Sequence, residues 1–307
     1  MARHLIHVGY PKTGSTFLQA WFERHPELCY SPGGLGGFHS VYEIARPSSQ
    51  GAYKYYVTSC EELSTPHEGA GDARWDFEYA EPVRMNRAKE RQAAVCSALR
   101  SLYPGSRVLI VTRGFKEMII SGYSQIVRMG GRLHLGGMCR ELSECLRSSD
   151  DHYLDFDYYL RLYGEAFGEE NLIVLPYELL RDDQDRFLAT LEERLGIGHA
   201  EVKIGRLNPS LSPEELYWYP LISRAVSAAA SRLGDARFQK IYRRYAGLVL
   251  NNRLRPLIKV LRLLRPDGRI TEADFDDDIL LYCRGKATLL KERPLYAPYA
   301  AEYLWEE

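Results

Sequence analysis

The residues best suited to chemistry cluster near the amino end. Gly9-Tyr10-Pro11-Lys12-Thr13-Gly14-Ser15-Thr16 packs two glycines, one cation and three Ser or Thr hydroxyls into one short run. The strand-like stretch Leu5-Ile6-His7-Val8 precedes it. A helical pattern follows over 15–24, with Phe17, Leu18, Trp21 and Phe22 as its apolar positions. The first N–H groups of a helix have no intrahelical partner, and the helix dipole favours an anion beside them. Gly14 lets the backbone approach such a group closely, and Ser15 and Thr16 add hydroxyl donors. The run therefore predicts a phosphate-type anion site.

A second anion-binding pattern lies downstream. Val108-Leu109-Ile110-Val111 is a β-branched run that reads as a buried parallel strand. Arg113 follows it, and Ser121 lies eight residues further along a predicted helix. Open α/β sheets bind ligands at the carboxyl ends of their strands. An arginine fork there offers two parallel charge-assisted hydrogen bonds to a phosphate. A third group of polar residues, Glu61, Glu62 and His67, follows the strand-like Tyr55–Val57. Any of the three could accept a proton from an attacking hydroxyl, the imidazole near neutral pH.

The spacing from Gly9 to Gly14 matches the nucleoside-triphosphate loop G-x-x-x-x-G-K-[ST]. Ser15, however, stands where that loop carries lysine, and the cation is instead Lys12 inside the turn. Tyr10-Pro11-Lys12-Thr13-Gly14-Ser15-Thr16-Phe17-Leu18-Gln19 resembles the 5′-phosphosulfate-binding loop of sulfotransferases that use 3′-phosphoadenosine-5′-phosphosulfate (PAPS). Arg113 with Ser121 resembles the 3′-phosphate motif of that family, and Tyr123 fits it too. Many members have proline two residues after the arginine, where this chain has Phe115. Further stretches, Gly114 to Gln125 and Phe156 to Leu180, resemble a bacterial branch. The resemblance runs over about 5–212 and is loose over 213–307.

That resemblance implies the following roles. Pro11, Lys12, Thr13, Gly14, Ser15 and Thr16 would hold the 5′-phosphosulfate. Lys12 would also act catalytically, stabilising charge on the oxygen that leaves sulfur. Arg113 and Ser121 would hold the 3′-phosphate, and Tyr177 would lie near the adenine or serve structurally. Thr58-Ser59-Cys60-Glu61 resembles the Ser-x-Glu segment of the glutamate-using, heparan-type branch, which makes Glu61 the base, ahead of His67 and Glu62. PAPS is then a co-substrate leaving adenosine 3′,5′-bisphosphate, and no metal is implied. The acceptor would be a small molecule or glycan bearing a hydroxyl or amine. The rival readings are a small-molecule kinase of the triphosphate-loop type and a non-catalytic nucleotide or acidic-ligand binding module.

The elements that must position these residues alternate. Strand patterns at 5–8, 55–58, 108–111 and 172–175 are separated by helical patterns at 15–24, 84–102, 116–128 and 156–167, with another helix at 187–195. This predicts an α/β fold with a central parallel sheet flanked by helices, of P-loop-like sulfotransferase type. Residues 1–212 would form that core. The texture turns helical beyond Pro213, so 213–307 is expected to be a helical extension packed on the same domain. Acceptor loops are expected within 31–52, 64–83 and 129–152, together with the helical tail.

Composition narrows the classes further. The 307 residues carry a formal net charge of −1, so no global excess points to nucleic acid. Met1-Ala2-Arg3-His4-Leu5 lacks the apolar stretch of a signal peptide, and no apolar run approaches the ~18–20 residues that span a bilayer. A cytoplasmic protein is expected. The six cysteines form no C-x-x-C pair, which argues for reduced, scattered thiols. One local imbalance stands out: 224–269 holds twelve Lys and Arg against two Asp, with Leu254, Leu257, Ile258, Leu261 and Leu264 at helical spacing. That pattern fits a solvated basic helix face, or contact with an acidic acceptor or an anionic membrane surface.

Overall fold

The computed structural model describes residues 3–31, 53–60, 63–65, 87–148, 151–202, 204 and 211–305. Five strands form one parallel sheet: β1 (Arg3–His7), β2 (Leu28–Cys29), β3 (Tyr55–Ser59), β4 (Arg107–Thr112) and β5 (Leu172–Pro176), in the order β2-β3-β1-β4-β5. Successive strand side chains point to opposite faces, and that alternation divides the core in two. Ile6, Val108, Ile110, Leu172 and Val174 enter one apolar cluster. Leu5, Val57, Leu109, Val111, Ile173 and Leu175 enter the other. Both faces are covered, which is why these strands read as continuous apolar runs.

Helices α1 (Ser15–Arg24), α6 (Tyr177–Asp182) and α7 (Gln184–Leu195) cover one face through Leu18, Trp21, Phe22, Leu180, Phe187 and Leu191. On the other lie α2 (Ala88–Leu102), α3 (Phe115–Arg128), α4 (Leu135–Ser148) and α5 (Phe156–Phe167). Local chemistry sets several ends. Asp155 caps α5 by accepting from the Tyr158 amide at 3.0 Å. Gly196 closes α7 in the left-handed conformation at φ 66°. The α/β class, the parallel sheet and the flanking helices are those read from the sequence.

Two elements differ from the expectation. β2 is a two-residue edge strand, too short to leave a periodic signal. The region 129–152, expected to be an acceptor loop, contains the helix α4. Its buried Leu135, Met138, Cys139, Leu142 and Leu146 recur at helical spacing. Gly136 and Gly137 lower its intrinsic helix propensity by about 1 kcal/mol each, which hid the pattern. The other expected acceptor regions, 32–52 and 66–83, lie outside the described residues.

Beyond residue 211 come α8 (Pro213–Ser231), α9 (Asp235–Leu250), α10 (Arg255–Leu264) and α11 (Asp278–Cys283). Ser212 starts α8 with a capping box: its hydroxyl accepts from the Glu215 amide while Glu215 accepts from the Ser212 amide. Leu216, Tyr219, Tyr242, Val249, Ile279, Tyr296 and Tyr303 join the same apolar cluster as α3–α5. Among the described residues no helix is long and apolar enough to cross a membrane.

Candidate functional site

The site forms where the sheet order reverses. β1 is flanked by β3 on one side and β4 on the other, so the loops after β1 and β4 leave in opposite directions and open a crevice between them. The loop after β1 is the glycine run. Lys12 has φ 70° and Gly14 φ 84°, while Thr13 between them is not left-handed. Alternating left-handed residues turn successive N–H groups into one concavity, the geometry of an anion nest. Gly14 is the N-cap of α1 and no side chain caps that helix. Its first amides therefore open into the same concavity.

Neighbours hold this loop in place. The Thr13 hydroxyl donates to the Tyr10 carbonyl at 2.6 Å, closing the turn. The Ser64 hydroxyl donates to the Gly9 carbonyl at 3.1 Å, and the Gln92 amide donates to the Ser64 carbonyl at 2.7 Å. A side chain at Gly9 would force its neighbours to shift, because a Cβ would sit 2.5 Å from His7 Nε2 and 3.1 Å from Ser15 Oγ. Those two atoms are buried and make no hydrogen bond among the described residues. An unsatisfied buried hydroxyl costs about 1–3 kcal/mol. Ser15 Oγ at the head of α1, beside open amides, thus fits an anion that it would donate to.

Arg113 leaves the end of β4 and reaches across the crevice. Its Nη1 donates to the Lys12 carbonyl at 2.8 Å, and its guanidinium lies over the Tyr177 ring, 4.4 Å from the centroid. The Tyr177 ring in turn lies 3.4 Å from where a Gly14 Cβ would be. Lys12 and Gly14 of one loop, Arg113 and Tyr177 therefore meet in one place, from three segments distant in sequence. Ser121 is half-buried on α3. Tyr123 is buried and donates to the Leu216 carbonyl at 3.1 Å, so it ties α3 to α8. Pro11 is half-buried in the turn, and Thr16 is exposed at the start of α1.

Some contributors carried no signal in the sequence. Glu117, one turn along α3, accepts from Arg113 Nε and Nη2 at 3.3 and 3.1 Å. Its other oxygen accepts from Arg181 at 2.8 Å. Glu178, fully buried, accepts from the Gly114 amide at 2.8 Å and from the Tyr303 hydroxyl at 3.0 Å. Burial pushes its carboxyl above the usual range. Thr112 shares its hydroxyl with those of Tyr296 and Tyr303 at 2.8 and 3.0 Å. The backbone of Glu302 accepts from the Phe115 amide at 3.0 Å and closes over Gly114, where a Cβ would meet Glu302 Cβ at 2.6 Å. The turns over 294–305 thus fasten the segment that carries Arg113.

Glu61, Glu62 and His67 lie outside the described residues. The residues leading into them are described: the Ser59 hydroxyl pairs with His7 Nδ1 at 2.7 Å, and the Cys60 amide donates to the His7 carbonyl at 3.4 Å. Among the described residues no cluster of three or more His, Cys, Asp or Glu is placed to hold a metal.

No protein-family model matches the chain, and no curated protein matches it either. The solved structure of a sulfotransferase from Alicyclobacillus acidocaldarius is similar to it. The two are 16% identical, the match covers 73% of this chain and 94% of that one, and the TM-score is 0.47.

Proposed function

We propose that this chain is a sulfotransferase that takes a sulfuryl group from PAPS and passes it to a hydroxyl or amine of a small molecule or glycan. One observation carries the reading: Arg113 bonds the backbone of Lys12 and stacks on Tyr177. Two anion-binding groups, the loop nest and the arginine fork, thereby share one crevice. PAPS carries two anionic groups on one ribose, a 3′-phosphate and a 5′-phosphosulfate, and needs that pairing. The loop has no lysine after Gly14, which argues against gripping β- and γ-phosphates.

In this reading the amides of the loop, with Ser15 and Thr16, hold the 5′-phosphate, and Arg113 with Ser121 holds the 3′-phosphate. The acceptor oxygen forms a bond to sulfur as the bond between sulfur and the bridging phosphate oxygen breaks. Lys12 stabilises the charge that gathers on that oxygen. The acceptor's proton passes to a base, which the sequence assigns to Glu61. The hydrogen bonds of Ser59 and Cys60 to His7 fasten the end of β3, which leads into that segment, to β1. A loose transition state leaves the protein chiefly positioning and electrostatic work.

The test is transfer of labelled sulfate from PAPS to an acceptor panel, run beside phosphate transfer from ATP with Mg²⁺. Lys12→Ala should lower turnover by about a hundredfold to a thousandfold, the range for removing one electrostatic donor. It should leave binding of adenosine 3′,5′-bisphosphate largely intact. Turnover from ATP and none from PAPS would refute the reading. Tight binding of the bisphosphate with no transfer to any acceptor would assign the chain to the binding modules instead.

A further inference from the structure

The helix α10 presents two apolar faces. One, formed by Leu254 just before it, Ile258 and Leu261, packs on the core. The other faces water: Leu257, Val260, Leu263 and Leu264 are 43, 53, 82 and 77% exposed. They recur at i, i+3, i+6 and i+7, a single stripe along a ten-residue helix. Scattered exposed leucines need no explanation, but a contiguous stripe does. Lys259 borders it, and Arg253 and Arg265, both exposed, lie just beyond its two ends. Among the described residues, two carboxylates pair with the helix. Glu214 pairs with Arg262 at 3.6 Å and Glu215 with Arg255 at 2.9 Å, both from α8.

We propose that α10 is an interfacial helix that docks this protein on an anionic lipid surface. Charge decides the occupant. The segment 224–269 holds twelve cationic residues against two acidic ones, in a chain whose net charge is −1. Its positive charge is therefore local, and Arg253, Lys259 and Arg265 of that segment stand beside or just beyond the apolar stripe. A second copy of this chain seated on the stripe would bring Lys259 and the two end arginines, Arg253 and Arg265, against their own kind, which is costly at a symmetric interface. A bilayer with anionic headgroups satisfies both features. The apolar face sinks about 5–10 Å to the headgroup boundary while the flanking cations meet phosphates. The surface is independent of the reaction performed at the loop.

The experiment is co-sedimentation of the full chain with vesicles. One set is pure phosphatidylcholine; the other contains one part phosphatidylglycerol to two parts phosphatidylcholine. Binding is expected only to the anionic set, and it should fall as salt approaches about 1 M, where the screening length is about 3 Å. Leu263→Ser with Leu264→Ser should weaken binding about tenfold or more, since the apolar face supplies much of the affinity. Both side chains are exposed, so circular dichroism should show an unchanged fold. As a second reading, tryptophan at 263 (L263W) should shift its emission to the blue on anionic vesicles. No vesicle binding by the wild type, or binding unaffected by the serine pair, overturns the proposal. So does a wild-type dimer in light scattering that the serine pair makes monomeric.

Discussion

Glu117 holds Arg113 with one carboxylate oxygen and Arg181 with the other. A phosphate arriving at Arg113 must compete with that carboxylate, which is half-exposed and can stay with Arg181 when it lets go. Glu117→Gln is expected to tighten binding of adenosine 3′,5′-bisphosphate by about fivefold, the size of an ion pair worth about 1 kcal/mol. Calorimetric titration of both proteins measures this. Weaker binding in the variant would show that Glu117 positions the arginine and does not compete for it. Lys12 and Arg113 stand out as candidates in the sequence because their residue types stand at fixed offsets from glycine and from a strand end. Glu117 was not, because Glu four residues from Arg on a helix looks like any exposed pair.

Two short connections carry the site at the scale of elements. Gly14 must be left-handed at φ 84°, and a Cβ there would meet Leu180 Cδ2 at 2.6 Å. Gly14→Ala should therefore disturb both the nest and the seat of Tyr177. We expect bisphosphate binding to fall by at least about tenfold, matching a backbone cost of about 1–3 kcal/mol; titration of the purified variant checks it. The turn from β4 into α3 depends on Glu178, whose buried carboxyl takes the Gly114 amide and the Tyr303 hydroxyl. Glu178→Ala strands the Gly114 amide and leaves the Tyr303 hydroxyl only its bond with Thr112. A loss of about 1–3 kcal/mol in urea unfolding is expected, the cost of one stranded buried group, together with weaker bisphosphate binding. Binding unchanged in folded protein would show that the turn holds Arg113 without Glu178.

At the scale of the molecule, the imidazoles of β1 make the fold acid-sensitive. Burial holds His7 down to about 3 and His4 down to about 4. The unfolded chain takes up protons at both near pH 6.5, while the folded chain does not until far lower. Stability from these groups is therefore full above pH 6.5 and falls as pH drops toward those folded values. For fully buried His7 the slope approaches about 1.4 kcal/mol per pH unit. Urea midpoints measured between pH 7 and 4.5 should decline, and His7→Asn should flatten the decline. A midpoint independent of pH in the wild type would exclude this origin.

The sequence by itself determined whatever depends on local order. Apolar runs set the strands, glycines set the turns at Gly14 and Gly196, and the place of Lys12 marked the kind of anion to expect. Each is a property of a few neighbouring residues, so it survives without knowledge of the rest of the chain. Helix α4 escaped because two glycines masked its apolar spacing. What the tertiary structure alone decided is convergence. Arg113 meets Lys12 across 101 residues, and Tyr303 meets Glu178 across 125. Sheet order produces these contacts: β1 and β4 are neighbours because β4 crosses back beside β1, and no local pattern encodes which strand lies beside which. The outward stripe of α10 was likewise visible as leucines, but only packing showed which face the core had left to water.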